Sequence, residues 1–266
     1  MGLFQRIFGT TASEKKTSPL SCSFREDDVF LVSFPKSGNT WVRFLIGNYV
    51  TRGGMDFSNG HLFMPDIHFN PEQMNELKTR PRFLKSHNPY TPDYSRVIYL
   101  VREGRDTAVS YFHFLKKMKS ISPETTFSEY LENFFFAGRS PYGQWNAHVF
   151  SWLRDHRVPH LLLVKYEDLL VNAREELRKM VVFSGLAVDE KLLDLAVERS
   201  SFASMKEDEK RNSDSLRKLG HDMPAEDNSI VRSGKSNSWR EVFSEAENEK
   251  FIRLYGDALD YLGYKR

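Results

Sequence analysis

Lys36, Lys85, His87 and Arg102 have residue types and neighbours suited to chemistry on an anion and on a hydroxyl. Lys36 stands in SFPKSGNTW, residues 33–41. The phosphate loop of nucleotide hydrolases reads G-x-x-x-x-G-K-[ST], and the same frame here gives Ser33, four residues, Gly38, Asn39 and Thr40. The frame fits and the lysine does not. Asn39 takes the place of the lysine that reaches the β and γ phosphates, while Lys36 comes three residues earlier. Gly38 permits close backbone approach, and the amides that open the following helix face an anion with the positive end of the helix dipole behind them. The expectation is a phosphate-like ligand other than a triphosphate. A plain strand-to-helix turn would also use Pro35 and Gly38, but it leaves Lys36, Ser37 and Thr40 without a reason.

The stretch RVIYLVREGRDTAVS puts Arg102 at the end of an apolar run and Ser110 about one turn into a helix predicted to begin near Asp106. That places a guanidinium fork and a hydroxyl where they can share one anion. Arg102 can instead pair with Glu103 or Asp106. In FLKSHNPY another short run ends at Lys85, Ser86 and His87. Seven other histidines are present, and His87 is singled out by its place between Lys85 and Pro89, whose ring stiffens the backbone. Histidine suits removal of a proton from an acceptor hydroxyl near neutral pH. No metal site is expected: HExxH and Cys/His clusters are missing, and Pro65 interrupts the pair His61 and His68.

The elements that must carry these residues are legible as VFLVSF, RVIYLVR and HLLLVKYEDL, each a short apolar run followed by a helical pattern. Such alternation predicts a single α/β domain with a central parallel sheet flanked by helices and a P-loop-like anion loop. Ligands then sit at the carboxyl ends of the strands, where the residues above lie. The domain is expected over 26–266, after a flexible tail over 1–25. Leu3, Phe4, Ile7 and Phe8 beside Arg6 give that tail a short apolar face, so weak contact with a membrane or partner is the alternative. Lys206 to Ile230, rich in charge, Ser, Gly and Asn, reads as a long mobile loop between two site motifs and is expected to act as a lid.

Composition excludes several functions. With 40% hydrophobic and 28% charged residues, disorder is not the main state. A net charge of +2 is far from that of a dedicated nucleic-acid binder, so an anion site must be local. Cys22 is the one cysteine, which excludes an intramolecular disulfide or thiolate cluster and points to a reducing, cytoplasmic setting. Apolar runs such as 161–164 and 134–136 are too short to span a bilayer.

These motifs together resemble the sulfotransferase family that uses 3′-phosphoadenosine 5′-phosphosulfate (PAPS), particularly its soluble cytosolic branch, from about Asp27 to the C-terminus. FPKSGNTW is similar to that family's 5′-phosphosulfate loop, which implies contacts from Lys36, Ser37, Gly38, Asn39, Thr40 and Trp41. REGRDTAVSYFHF resembles its 3′-phosphate element, with Arg102 and Ser110 at matching positions, and KSHNP resembles the motif of its catalytic histidine, pointing to His87 and Lys85. VKYEDL implies that Tyr166 lies by the nucleotide, and SSFASMK implies that Ser200 and Phe202 meet the adenine. RSGKSNSW resembles the signature R-K-G-x-x-G-D-W through Arg232, Gly234 and Trp239. It departs at Ser233 for lysine, Asn237 for the second glycine and Ser238 for aspartate, which implies a 3′-phosphate clamp closed differently. WREVFSEAENEKF resembles the dimer segment of animal members, with Glu245 where they carry valine.

The resemblance implies PAPS as cosubstrate, 3′-phosphoadenosine 5′-phosphate (PAP) as product, and no metal. His87 would take the acceptor's proton as that atom attacks sulfur, and Lys36 would meet the charge growing on the leaving oxygens. The expected acceptor is a small, partly apolar hydroxyl or amine compound. Phe63, Phe69, Tyr111, Phe112, Phe134, Phe135 and Trp145 are candidates for its pocket, with core packing the competing role for each. A P-loop-type nucleotide kinase and a non-catalytic nucleotide-binding scaffold are the alternatives. Asn39 argues against the first, and the joint presence of Lys36 and His87 against the second.

Overall fold

Side chains alternate along a strand, so a strand buried on both faces must be apolar at every position. VFLV and VIYLV meet that demand, with the polar Ser33 closing the first strand. The computed structural model describes residues 23–69, 71–156, 158–212 and 234–266. Among them, a parallel sheet is built from β1 (Val29–Ser33), β2 (Phe83–Ser86), β3 (Arg96–Val101) and β4 (His160–Lys165) in the order β2-β1-β3-β4. The helices are α1 (Asn39–Val50), the short α2 (Gly60–Phe63) and α3 (Pro71–Glu76), α4 (Gly104–Lys117), and α5 (Phe127–Tyr130), which runs into a π turn at Leu131–Phe135. They continue with α6 (Trp145–Leu153), α7 (Tyr166–Phe183), α8 (Glu190–Arg199), α9 (Phe202–Arg211) and α10 (Glu245–Leu262).

Each central strand feeds two cores. Phe30, Val32, Val97, Tyr99 and Val101 join residues of α4, α6 and α10, whereas Val29, Leu31, Ile98 and Leu100 join residues of α1, α7 and α8. The α/β sandwich expected from the apolar runs is therefore the architecture found. Tyr111, Phe112, Phe134, Phe135 and Trp145 all lie in the first core, so packing accounts for these five pocket candidates. Phe63 packs on a small cluster around Phe44, Met55, Phe57 and Met205, and Phe69 is half-exposed. No helix of the described residues is long and apolar enough to cross a membrane.

Three boundaries differ from expectation. Helix α4 begins at Gly104 rather than near Asp106, because the Glu103 carboxylate caps it by accepting from the Asp106 N–H at 2.9 Å. Residues Lys206–Arg211 are helical rather than loop. Ser201 caps α9, Met205 is buried against Phe44 and Phe57, and the Asp208 carboxylate accepts from the Phe57 N–H at 2.9 Å. One buried methionine and one aspartate anchor a stretch whose charge reads as solvated. The rest of the expected lid and residues 1–22 of the expected tail lie outside the described residues. Finally, α7 starts at Tyr166, inside the run HLLLVKYEDL rather than after it, and breaks its helical geometry at Asn172.

Candidate active site

Beyond Ser33 the chain leaves β1 and turns through Phe34–Gly38 into α1. Lys36 at φ 71° and Gly38 at φ 101° both adopt the left-handed region, strained for lysine and free for glycine. Left-handed residues set among ordinary ones curl the backbone so that its amides can surround an anion. Gly38 has a second reason to lack a side chain: a Cβ there would lie 2.6 Å from Cδ2 of Tyr166. No side chain caps α1, and its first turn holds no acidic residue. Helix α4 differs, having Glu103 as cap and Asp106 in its first turn. The positive end of α1 is thus left open for a ligand.

Inside this loop the buried Ser37 Oγ and Asn39 Oδ1 have no hydrogen-bond partner among the described residues. Asn39 Nδ2 donates to Ser33 Oγ at 3.1 Å, tying the usual lysine position back to the strand. The Lys36 ammonium lies 4.5 Å from the centroid of the Phe114 ring. Thr40 and Trp41 are half-buried, and the Trp41 and Tyr166 rings meet edge to face with centroids 5.7 Å apart.

Because β2 runs beside β1 with Val32 opposite Ser86, the next residue, His87, arrives at the foot of the loop. Its Nδ1 is 2.7 Å from the Ser33 carbonyl oxygen and 3.4 Å from Ser33 Oγ. A carbonyl oxygen only accepts, so Nδ1 carries the hydrogen and Nε2 keeps its lone pair. Burial above all, and then the Lys85 cation, push the imidazole's pKa well below the ordinary 6.5, against opposing pulls from Asp66 and Ser33. A neutral His87 with a basic Nε2 is the form present at pH 7. The Tyr142 ring stands 5.4 Å from it.

Lys85, one residue before Ser86, is ion-paired with Asp66, and both are largely buried. The pairing has a backbone basis: Lys85 N–H donates to the Pro65 carbonyl at 2.9 Å and Ile67 N–H to the Lys85 carbonyl at 3.1 Å, so residues 65–67 run along the open side of β2. Burial alone would raise the Asp66 carboxyl, but Lys85 and its neighbours outweigh it and hold the group at about 2.

At the end of β3, Arg102 is buried with its guanidinium 4.4 Å from the centroid of the Tyr166 ring. Its Nη2 donates to the Lys235 carbonyl at 2.9 Å, while its buried Nε has no partner among the described residues. Neither acidic neighbour takes it. Glu103 accepts from Arg105 at 2.7 Å, and Asp106 accepts from Asn237 N–H, Ser238 Oγ–H and Trp239 N–H at 2.6, 3.0 and 3.0 Å. Ser110 is half-buried and nearly two turns into α4. Ser200 is fully buried and its hydroxyl accepts from Asn48 Nδ2 at 3.4 Å, so that group is engaged with α1. Phe202 lies against Gly234, where a Cβ would come 3.0 Å from its ring. Arg232 and Ser233 lie outside the described residues.

The family model described as Sulfotransferase domain matches residues 26–263. The chain belongs to the sulfotransferase family. It is 31% identical to mouse sulfotransferase 1B1 over 246 residues, covering 86% of this chain and 81% of that protein. It is 30% identical to bovine sulfotransferase 1E1 over 248 residues, covering 87% and 83%. Mouse sulfotransferase SULT7A1 complexed with PAP is similar in structure with TM-score 0.70 and 26% identity, covering 90% of this chain and 87% of that one. Retinol dehydratase with androsterone and PAP shares the fold at TM-score 0.73 and 22% identity, covering 89% and 82%.

Neither Asp66 nor the pairing of Asp106 is legible from a motif. Asp66 is 19 residues from Lys85, and Asp106 is 131 residues from Asn237. The one available signal for Asp106 is its place three residues after the capping Glu103, where an acid suits a helix start for a local reason. Asn237 sits at φ 62°, so the position where the family signature has glycine keeps the conformation that glycine allows. Glu245 is the first residue of α10, beside the Ser244 and Glu247 capping box, which accounts for an acid in that place.

Proposed function

We propose that the domain, residues 26–266, moves the sulfuryl group of PAPS to the hydroxyl or amine of a small acceptor, with His87 as general base and Lys36 as the stabiliser of developing charge. PAPS-dependent sulfuryl transfer is the activity of the family, and the residues present fit the nucleotide. Ser37 and Arg102 each bury a polar atom without a partner among the described residues, as lining for an anion does before the anion binds. Bound PAPS supplies an activated sulfuryl group on a phosphate leaving group.

The observation that carries the assignment is the hydrogen bond from His87 Nδ1 to the Ser33 carbonyl at 2.7 Å. It fixes the tautomer and attaches the base to the strand from which the phosphosulfate loop springs. His87 Nε2 accepts the proton of the acceptor while the acceptor atom forms its bond to sulfur and the bond from sulfur to the bridging phosphate oxygen breaks. Lys36 and the uncapped start of α1 meet the negative charge that accumulates on that oxygen, and PAP leaves. Lys85 acts through charge on its neighbour, since its ammonium is ion-paired with Asp66. Arg102, Ser110, Phe202 and Gly234 hold the 3′-phosphate and adenine end, with Tyr166 under Arg102.

We also read the acceptor as partly apolar, supported by the Tyr142 ring 5.4 Å from the His87 ring. A cytoplasmic setting is supported by the single cysteine. The test is transfer of radiolabelled sulfate from PAPS to a chemically varied acceptor panel. Labelled product that PAP suppresses supports the reading, and absence of transfer to every alcohol, phenol and amine overturns it.

A further inference from the structure

The base proposed above can work only if its backbone is held still, and the strand that delivers it ends one residue too early. β2 stops at Ser86, so the sheet ladder does not extend to the backbone of His87, Asn88 and Tyr90. Helix α6 supplies partners. His148 Nε2 lies 3.0 Å from the carbonyl oxygen of His87, and Trp152 Nε1 donates to the carbonyl of Asn88 at 3.0 Å. Ser151 Oγ accepts from the N–H of Tyr90 at 3.1 Å. His148 and Trp152 are four residues apart and so share one face of the helix, which grips two successive carbonyls of the catalytic loop.

The grip has a direction. Tyr99 of β3, wholly buried, places its hydroxyl 2.8 Å from His148 Nδ1. The His87 carbonyl can only accept, so Nδ1 of His148 keeps its lone pair and accepts from the Tyr99 O–H, a phenol that burial pushes well above its ordinary 10.0. Nε2 of a neutral His148 therefore carries the hydrogen that meets the His87 carbonyl, and burial holds this second imidazole neutral by lowering it to about 4. The chain Tyr99 to His148 to His87 runs from the centre of the sheet to the base.

We infer that His148, seconded by Trp152, is a positioning residue that aims His87 at the acceptor by fixing the backbone of residues 87 and 88. This rests on His87 being the base. A displacement of about 1 Å at a reacting group costs on the order of 100-fold in rate. His148→Phe, measured as kcat against a series of acceptors from alcohols to acidic phenols, should lose about 10-fold to 100-fold with alcohols. The loss should shrink toward acidic phenols, which ionise without a base, and PAP affinity should hold within about twofold. His148→Gln, whose amide can donate from nearly the same place as Nε2, should recover most of the rate, and Trp152→Phe should repeat the pattern more weakly.

An equal loss across all acceptors, or one matched by lost PAP affinity, would mean that His148 only supports the fold and would overturn the inference; so would an unchanged rate. If His148→Phe fails to fold, Trp152→Phe decides in the same series. His87→Ala is the control that separates the two ideas: an active His87→Ala enzyme removes the base itself. An inactive one, beside a fully active His148→Phe enzyme, removes the inference alone.

Discussion

The two ends of the site are built on opposite terms. At the acceptor end each chemistry-bearing group is already engaged: His87 with Ser33, Lys85 with Asp66, His148 with Tyr99 and with the His87 carbonyl. At the nucleotide end Ser37 Oγ, Asn39 Oδ1, Arg102 Nε and Trp239 Nε1 are buried without partners among the described residues. Buried polar atoms left unpaired cost stability, and a ligand that completes these four would offset that cost, although others such as Arg43 Nε and Tyr130 Oη are unpaired elsewhere among the described residues. On the function proposed above, the acceptor end is set for catalysis beforehand and the nucleotide end would be completed by binding. The comparison predicts that changes at the first end act on rate and changes at the second on affinity.

His87→Ala should break the acceptor end most severely, lowering kcat by about 100-fold to 10,000-fold with PAP affinity nearly unchanged. Calorimetry with PAP beside a transfer assay checks both halves, and weakened PAP binding of equal size would contradict the division. The wild-type pH profile sharpens it. A base works when neutral, and burial places the His87 pKa well below 6.5, so activity should persist as pH falls through 6.5 and fail only at lower pH. An acid limb at or above 6.5 would mean that a solvated group is being titrated.

Lys36 belongs to both ends, and Lys36→Ala should show it. Charge that grows in the transition state makes the larger demand on its ammonium, so kcat should fall on the order of 100-fold to 1,000-fold, with a much smaller loss of PAP affinity. Arg102→Ala is the converse. Its buried guanidinium should act on the 3′-phosphate through charge-assisted hydrogen bonds worth about 1.5–3 kcal/mol, so preference for PAP over adenosine 5′-phosphate should fall about 10-fold to 100-fold. A wild type that binds both nucleotides equally would remove the 3′-phosphate from that pocket.

How much of this was legible depended on how local the cause was. VFLV and VIYLV are recognisable because double-sided burial selects apolar side chains, and FPKSGNTW because a left-handed turn before a helix needs Gly38. His87 was singled out as a candidate base from its place after a strand, without knowledge of the carbonyl that sets its tautomer. Asp66, His148 and Asp106 carried no such mark, since their partners lie 19, 61 and 131 residues away and only the folded chain brings them together. The helical run Lys206–Arg211 was misread for the same reason: Met205 and Asp208 draw it onto residues near 57, and its own composition is that of a solvated loop.

The smallest effect is expected at Ser238, where the family signature has aspartate. Asp106, wholly buried, takes three hydrogen bonds from residues 237–239, and two of the three donors are backbone N–H groups. Those two hold the Arg102-facing segment whatever the side chain at 238, so the Ser238 hydroxyl adds to a latch that already closes. Ser238→Ala should cost about 0.5–1.5 kcal/mol, the net worth of one hydrogen bond, and weaken PAP by about twofold to tenfold with kcat unchanged. Asp106→Ala removes the acceptor from all three donors and should cost more than Ser238→Ala in both melting temperature and PAP affinity. If Ser238→Ala lowered kcat while PAP affinity stayed the same, the latch would be acting on the chemistry and the division between the two ends would fail at this point.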